Sequence, residues 1–253
     1  MIRSVDRAVQ ILLVLQGARR LGVTEIAGRL GLPKATVHGL LRTLAERGMV
    51  EQEPQTGKYM LGAAVLRMGN VYLDNHELRA RSLRWADGLA ERTGHPVRVG
   101  VLLLSDVVVV HHAFRPDGTT QIWEVGIAIP AHASSLGKAM LAFRRDDLRR
   151  LLDGPLRPLT GGTIIEPERL SKELEEVRRL GVATERDEAV LGESGIAGTV
   201  FDASATAVGA IGVVVPSSRL AEEDEGLLAE AVRAAARAVS KELGAPAWPP
   251  RHA

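Results

Sequence analysis

Residues 24 to 61 constrain this chain more than any other stretch, because TEIAGRLGLPKATVHGLLRTLAERGMVEQEPQTGKYML lays out two short helices, a tight turn and a β-hairpin in immediate succession. Ile26, Ala27 and Leu30 share one face of the first helix, which Thr24 is placed to cap and Gly31 to end in a left-handed conformation. Pro33 opens the second helix where a missing N–H costs little, and Val37, Leu40, Leu41 and Leu44 follow at helical spacing until Gly48. Gly31, Leu32 and Pro33 between two such helices is helix-turn-helix spacing. Met49 to Glu53 and Lys58 to Leu61 read as strands joined by Pro54, Gln55, Thr56 and Gly57, the hairpin of a wing. Upstream, Ser4 is placed to cap a helix whose Val5, Val9, Leu12 and Leu13 form an apolar stripe, the third helix of a small core.

The solvent face of the second helix carries Lys34, Thr36, His38, Arg42 and Thr43, cations and short donors suited to a major groove and its phosphates. Any amphipathic helix turns polar residues outward, so the helix alone does not decide between a DNA reader and an ordinary surface helix. Charge does more. Residues 1–61 hold nine Lys/Arg against five Asp/Glu, a net +4, which leaves −3 for the rest of a chain whose total is +1. A basic head on a mildly acidic body favours phosphate binding by the head. The candidate DNA-contacting set is Thr24, Lys34, Ala35, Thr36, His38, Arg42 and Lys58.

A chain of 253 residues needs a second domain beyond this head. The absence of cysteine excludes disulfides, Cys-based zinc sites and thiol nucleophiles together. Neither a signal peptide nor a membrane span is expected from the start Met-Ile-Arg-Ser and the lack of a long apolar stretch, so the expected place of work is the cytoplasm. Ala63, Leu66, Val71 and Leu73, then Leu78, Leu83, Trp85 and Leu89, predict a linker helix at 62–78 with a soft break near Asp74 and Asn75, leading into a body at 79–245. VRVGVLLL, VVVVHHAF and QIWEV are three strand candidates, with Ser105 and Asp106 as the first turn. IAGTVFD at 196–202 and VGAIGVVV at 208–215 are two more. Helices are expected at 135–143, 146–152, 167–180 and from Glu222 to Leu243, and the tail within APAWPPRHA is expected to be loose, with the flexible part set at 246–253. Strands in two groups with helices between them predict an α+β body on one mainly antiparallel sheet.

Several fragments resemble catalytic or metal motifs. Ser135 and Lys138 have S-x-x-K spacing, but the companion motifs of serine acyl-transfer enzymes are absent. His76-Glu77 starts like a zinc helix, yet Ala80 stands where the second histidine belongs. His111 and His112, adjacent in a strand, point to opposite faces and cannot share a metal. Gly192, Gly195 and Gly198 lack the strand and helix of a dinucleotide loop and suggest a relaxed turn. A hydrolase-like domain fused to a DNA-binding head is the reading these fragments would support. Ser134 and Ser135, at a helix start with Lys138 one turn in, could equally hold an anion; Ser134 could also be a plain N-cap and Lys138 a solvated lysine. Arg98, in an apolar strand, is either a phosphate partner or a residue on the wet face of the sheet.

The motifs SVDRAVQIL, LGLPKATVHGLLRTLAERGMVEQEPQTGKYMLG, PAHASSLGKAMLA at 130–142, and GIAGTVFD followed by GAIGVVV resemble, in order and spacing, the IclR family of bacterial transcription regulators. LDNHELRARSLRWADGLA and VVVVHHAFRPD are similar to the glycerol operon regulators of actinomycetes within it. The resemblance implies an N-terminal winged helix-turn-helix at 1–61, a C-terminal effector-binding domain with a GAF-like sheet, and no cofactor. It also implies homodimers through the heads and linker helices, often paired into tetramers, which bind an operator in double-stranded DNA. A repressor released by glycerol 3-phosphate follows from the subgroup, and control of another organic acid or polyol pathway is the alternative. The family's effector pocket maps here onto Ser134, Ser135, Leu136, Gly137, Glu185, Gly195, Gly212 and Val214, to which the residues add Lys138 and Arg98. Gly195 stands where many members have Cys, and Gly212 and Val214 where the best-studied pockets use serines, so keto-acid effectors are not expected.

Overall fold

The computed structural model describes residues 2–220 and 223–249. The chain divides between Asn75 and His76 into two compact units. In the first, α1 (Arg3–Ala18), α2 (Val23–Leu30) and α3 (Lys34–Glu46) are followed by the antiparallel pair β1 (Val50–Gln52) and β2 (Tyr59–Leu61) and by α4 (Ala63–Asp74). Ile11, Leu15, Leu21, Ile26, Val37, Leu41, Val50 and Tyr59 form its core. Gly31, at φ +63°, ends α2, and Gly57, at φ +69°, closes the hairpin turn. Leu21 adds a bridge to Tyr59, tying the α1–α2 connection to the wing.

Local details differ from expectation. Thr24 does not cap α2: the helix starts at Val23, and the Glu25 carboxylate accepts the Gly22 N–H at 2.8 Å, so an acid reaching back does the work. Ser4 lies inside α1, which starts at Arg3. The buried spine of α1 is Ile11 and Leu15, whereas Val5, Val9 and Leu13 are 58, 48 and 59% exposed. Apolar residues occupy most of the helix circumference from Val9 to Leu15, so periodicity fits two faces and packing against α2 and α3 selects one.

The second unit is built on a mixed order of elements: α5 (Glu77–Thr93), β3 (Val97–Leu103), β4 (Asp106–Ala113), β5 (Ala128–Pro130), a 3₁₀ turn at Ala131–Ala133, α6 (Ser135–Leu141), α7 (Arg145–Leu152), α8 (Pro167–Leu180), β6 (Val182–Arg186), β7 (Glu193–Phe201), β8 (Ala207–Pro216), α9 (Ser217–Leu220) and α10 (Glu225–Glu242). The described strands make one antiparallel sheet in the order β5-β4-β3-β8-β7-β6. Helices cover both faces. Close approaches of Leu78 to Gly209 and Ala236 to Gly198 seat α5 and α10 on one side, and Leu136 beside Gly100, with Thr199 donating to the Ala139 carbonyl, seats α6 on the other. Gly137 permits this seating, since a Cβ there would lie 2.1 Å from the Ala131 carbonyl oxygen.

QIWEV is not a strand. Residues 121–125 run irregularly, with Ile122 83% exposed, and the third strand is β5, after the Gly126 turn at φ +89°. β6 carries little strand signal in the sequence because VATER is short and follows α8 through Gly181 alone. The chain parts at residue 75, where α4 ends, rather than at 78–79, which lies within α5. Asp106 belongs to β4, and the turn before it is made by Leu104 and Ser105. Gly195 and Gly198 sit within β7, and Gly192, at φ +84°, makes the turn. α10 starts at Glu225, capped by Asp224; the expected start at Glu222 lies outside the described residues, as do tail residues 250–253. Residues up to Pro249 are not loose: the Trp248 indole N–H donates to the Thr199 carbonyl at 2.7 Å, and its ring covers Gly181.

Candidate functional site

On α3, Lys34, His38 and Arg42 recur every four residues and form one exposed row, with Ala35 and Thr36 in the first turn beside it. Val37 and Leu41 hold the opposite face in the core with no exposed surface. Among the described residues neither Lys34 nor Arg42 has a carboxylate partner, so both cations face solvent uncompensated. Lys58 stands on the wing 3.9 Å from the exposed Glu25 carboxylate, a loose pair worth little. The Gln52 side chain donates to the Gly57 carbonyl at 2.9 Å and stiffens the wing. Thr24 is exposed on α2.

In the second unit, sheet register gathers residues far apart in sequence. Glu185 on β6 lies opposite Gly195 on β7, which lies opposite Val214 on β8; Gly212, two residues back, lies opposite Arg98 on β3. Period-two alternation puts all five on the α6 face. They border a cavity of about 410 Å³, closed by Ser134, Ser135 and Leu136 at the start of α6 and by the loop residues Glu124, Ile127, Arg157 and Val190. That volume suits a small organic ligand. Gly195 makes room for the α6 start, since a Cβ there would meet Ser135 Oγ at 2.6 Å.

The polar groups at the start of α6 follow one sequence expectation and depart from others. Ser134 is the N-cap of α6: its Oγ accepts the Gly137 N–H at 3.1 Å. Gly137 does not line the cavity. Lys138 is neither a cavity residue nor a solvated one: it is fully buried, and its ammonium pairs at 2.5 Å with both Glu173 and Glu188. Those two acids line a separate groove beside α8, so the Lys138 ammonium is engaged there and not in the cavity that Ser135 borders. Arg98 is buried, not on a wet face. Burial alone would lower its pKa, but the hydrogen bonds it donates to Glu124 and Glu193 outweigh this and hold the guanidinium charged. Burial likewise raises the Glu124 pKa, and Arg98 more than reverses it. Burial pushes the Glu185 carboxyl up to about 8, with the nearby Glu188 and Glu193 adding to it against the hydrogen bond from the Glu188 N–H, so it enters the cavity as a neutral acid near pH 7.

The two histidines do point to opposite faces. His112 shares the Arg98 side, its ring against Phe114 and Trp123, while His111 faces α5, and burial lowers the pKa of both.

The sequence matches the IclR helix-turn-helix domain over residues 4–54 and the domain described as bacterial transcriptional regulator IclR C-terminal over residues 70–241. The chain belongs to the IclR family. Among its relatives, the glycerol operon regulatory protein of Streptomyces coelicolor is 43% identical over 96% of this chain and 97% of its own length. The protein of the same description from Streptomyces griseus is 44% identical over the same shares. The crystal structure of an IclR transcriptional regulator from Alicyclobacillus acidocaldarius superposes with a TM-score of 0.82 at 27% identity, covering 99% of this chain and all of that one. Like other IclR proteins, this chain is a DNA-binding transcriptional regulator with an effector-binding domain, not an enzyme. No helix among the described residues is long and apolar enough to cross a membrane.

Sequence reasoning about this IclR regulator missed Glu124, Arg157 and Glu193 in the cavity. Glu193 could have been found from the extension of β7 by its alternation; Glu124 and Arg157 lie in irregular segments where no periodicity marks an inward side chain. Arg157 is placed by its own backbone, whose carbonyl lies 3.0 Å from His132 Nε2, and it has no carboxylate partner among the described residues.

Proposed function

We propose that this IclR regulator represses a glycerol-utilisation operon and is released from its operator by glycerol 3-phosphate. The observation that carries the reading is the near end-to-end identity of 43–44% with two glycerol operon regulatory proteins. The cavity chemistry is compatible with it: Arg157 offers a cation without a carboxylate partner among the described residues, Arg98 offers a second where an anion replaces one of its two carboxylates, and neutral Glu185 with Ser135 offers donors to hydroxyls. In this reading Ser134, Ser135, Leu136, Glu185, Gly195, Gly212, Val214 and Arg98 border the effector, and Gly137 and Lys138 support the α6 start from behind. The head at residues 1–61 reads one half-site, with Lys34, Ala35, Thr36, His38 and Arg42 in the major groove and Lys58 on the wing. Two copies pair through apolar surface that one chain leaves exposed: Val5, Val9 and Leu13 on α1, and Leu66, Met68 and Val71 on the linker helix α4. Effector binding shifts the population away from DNA-competent dimers, which requires unequal effector affinity for the two forms.

Fluorescence anisotropy of the protein on a duplex from its own upstream region, titrated with glycerol 3-phosphate against glycerol at fixed salt, tests the reading. Release by the phosphate ester alone is the expected result; specific binding with no response to it removes the effector assignment. On the same duplex, Lys34→Ala and Arg42→Ala should each weaken binding, with the slope of log affinity against log salt reduced by about one unit per lost phosphate contact. Unchanged affinity and slope in both variants would mean that α3 is not the DNA-reading helix.

A further inference from the structure

Arg98 enters the cavity from β3 with only 8% of the residue exposed. Its Nε and Nη2 donate to the two carboxylate oxygens of Glu124 at 2.7 and 2.8 Å, a bidentate pair, while Nη1 donates to Glu193 at 2.7 Å. A phosphate or carboxylate ligand presents to a guanidinium the same two-oxygen edge that Glu124 presents here. Glu124 therefore stands where the anionic end of a ligand would dock.

The two acids are mounted differently. Glu193 is the first residue of β7 and is fixed in the ladder opposite Pro216. Glu124 lies in segment 114–127, which has no helix or strand. Its first half is closed by local bonds among Arg115, Asp117, Thr119 and Gln121, and its end is tied to Val109 through Gly126 and Ile127. Between these anchors Ile122 is exposed and Trp123 rests on Phe114 and His112, and the Glu124 carbonyl accepts the Ile127 N–H at 3.1 Å, so Glu124 is held by one turn and its bonds to Arg98 rather than by a strand ladder.

We propose that Glu124 is an internal competitor for the anionic effector: it fills the edge of Arg98 that the effector takes, and binding exchanges one anion for the other and frees segment 114–127. This rests on the effector reading above. The exchange supplies selectivity. Removing Glu124 without replacement strands a buried guanidinium edge, which a phosphate ester repairs and neutral glycerol does not. Expelling Glu124 also removes a carboxylate that would repel the incoming anion.

The test is calorimetric titration of the full chain and of Glu124→Gln with glycerol 3-phosphate, inorganic phosphate and glycerol, together with amide hydrogen exchange across 114–127. Glutamine weakens the competitor, so glycerol 3-phosphate should bind Glu124→Gln about tenfold more tightly than the native chain. Exchange across 114–127 should rise in the native chain on binding, and in ligand-free Glu124→Gln before any ligand is added. Equal or weaker binding by Glu124→Gln, or protection of 114–127 that neither ligand nor variant changes, overturns the proposal. If glycerol 3-phosphate binds neither protein, the effector assignment fails, and inorganic phosphate decides the competitor alone: tighter binding by Glu124→Gln supports it and no gain overturns it.

Discussion

Lys138→Met should lower the stability of the effector domain by about 3–5 kcal/mol, because it leaves two carboxylates facing each other without the cation that joins them. Glu188 is buried, and burial already raises its pKa against the pull of Lys138. Glu188 Oε2 has no partner among the described residues, so Lys138 is what the buried end of that side chain depends on. A loss of that size corresponds to a fall in thermal midpoint of about 6–20 °C for a domain of this length, measurable by circular dichroism. Adding Glu173→Gln and Glu188→Gln to Lys138→Met should recover much of the loss, since replacing a whole buried ion cluster by neutral groups is far less costly than breaking it. A midpoint unchanged in Lys138→Met would mean that the cluster is hydrated in solution. The serine and lysine of S-x-x-K are thus separated by function: one borders the cavity and the other braces the elements behind it.

The second large effect is a pH dependence. Glu185 titrates near pH 8 in the folded protein against an ordinary value of 4.5, so between these values the folded chain holds a proton that the unfolded chain has released. The stabilisation is complete below pH 4.5, declines as pH rises, and is gone above about 8, with a limiting slope of about 1.4 kcal/mol per pH unit for one proton. Glu185→Gln keeps a neutral side chain at every pH. Relative to that variant, the native chain should lose on the order of 2 kcal/mol between pH 6 and pH 8.5 in urea unfolding. Parallel pH profiles for the two proteins would mean that Glu185 is ionised in the folded cavity. The same proton affects the ligand: a neutral Glu185 donates to an anion or a hydroxyl, and an ionised one repels an anion, so glycerol 3-phosphate affinity should fall above pH 8.

The head was legible from sequence because its signals are local. Gly31, Pro33 and Gly57 fix turns by their own backbone limits, and the apolar faces of α2 and α3 repeat without interruption. The face of α1 was not legible, because its apolar residues nearly encircle the helix and only contact with α2 and α3 separates Ile11 from Leu13. In the body, β3, β4, β7 and β8 announced themselves as β-branched runs, whereas β6 is short and polar and QIWEV has strand composition without a strand to pair with.

Sequence by itself determined the winged helix-turn-helix, the charge asymmetry, the exclusion of cysteine chemistry and the order of the main elements, because each depends on residues within a few positions of one another or on composition. Tertiary structure decided which side chains share a cavity and with what charge. Arg98 meets Glu124 and Glu193 across 26 and 95 residues, and Lys138 meets Glu173 and Glu188 across 35 and 50. Those separations are closed by sheet register and helix rotation, and shifting either by one residue would turn each of these groups to the opposite face.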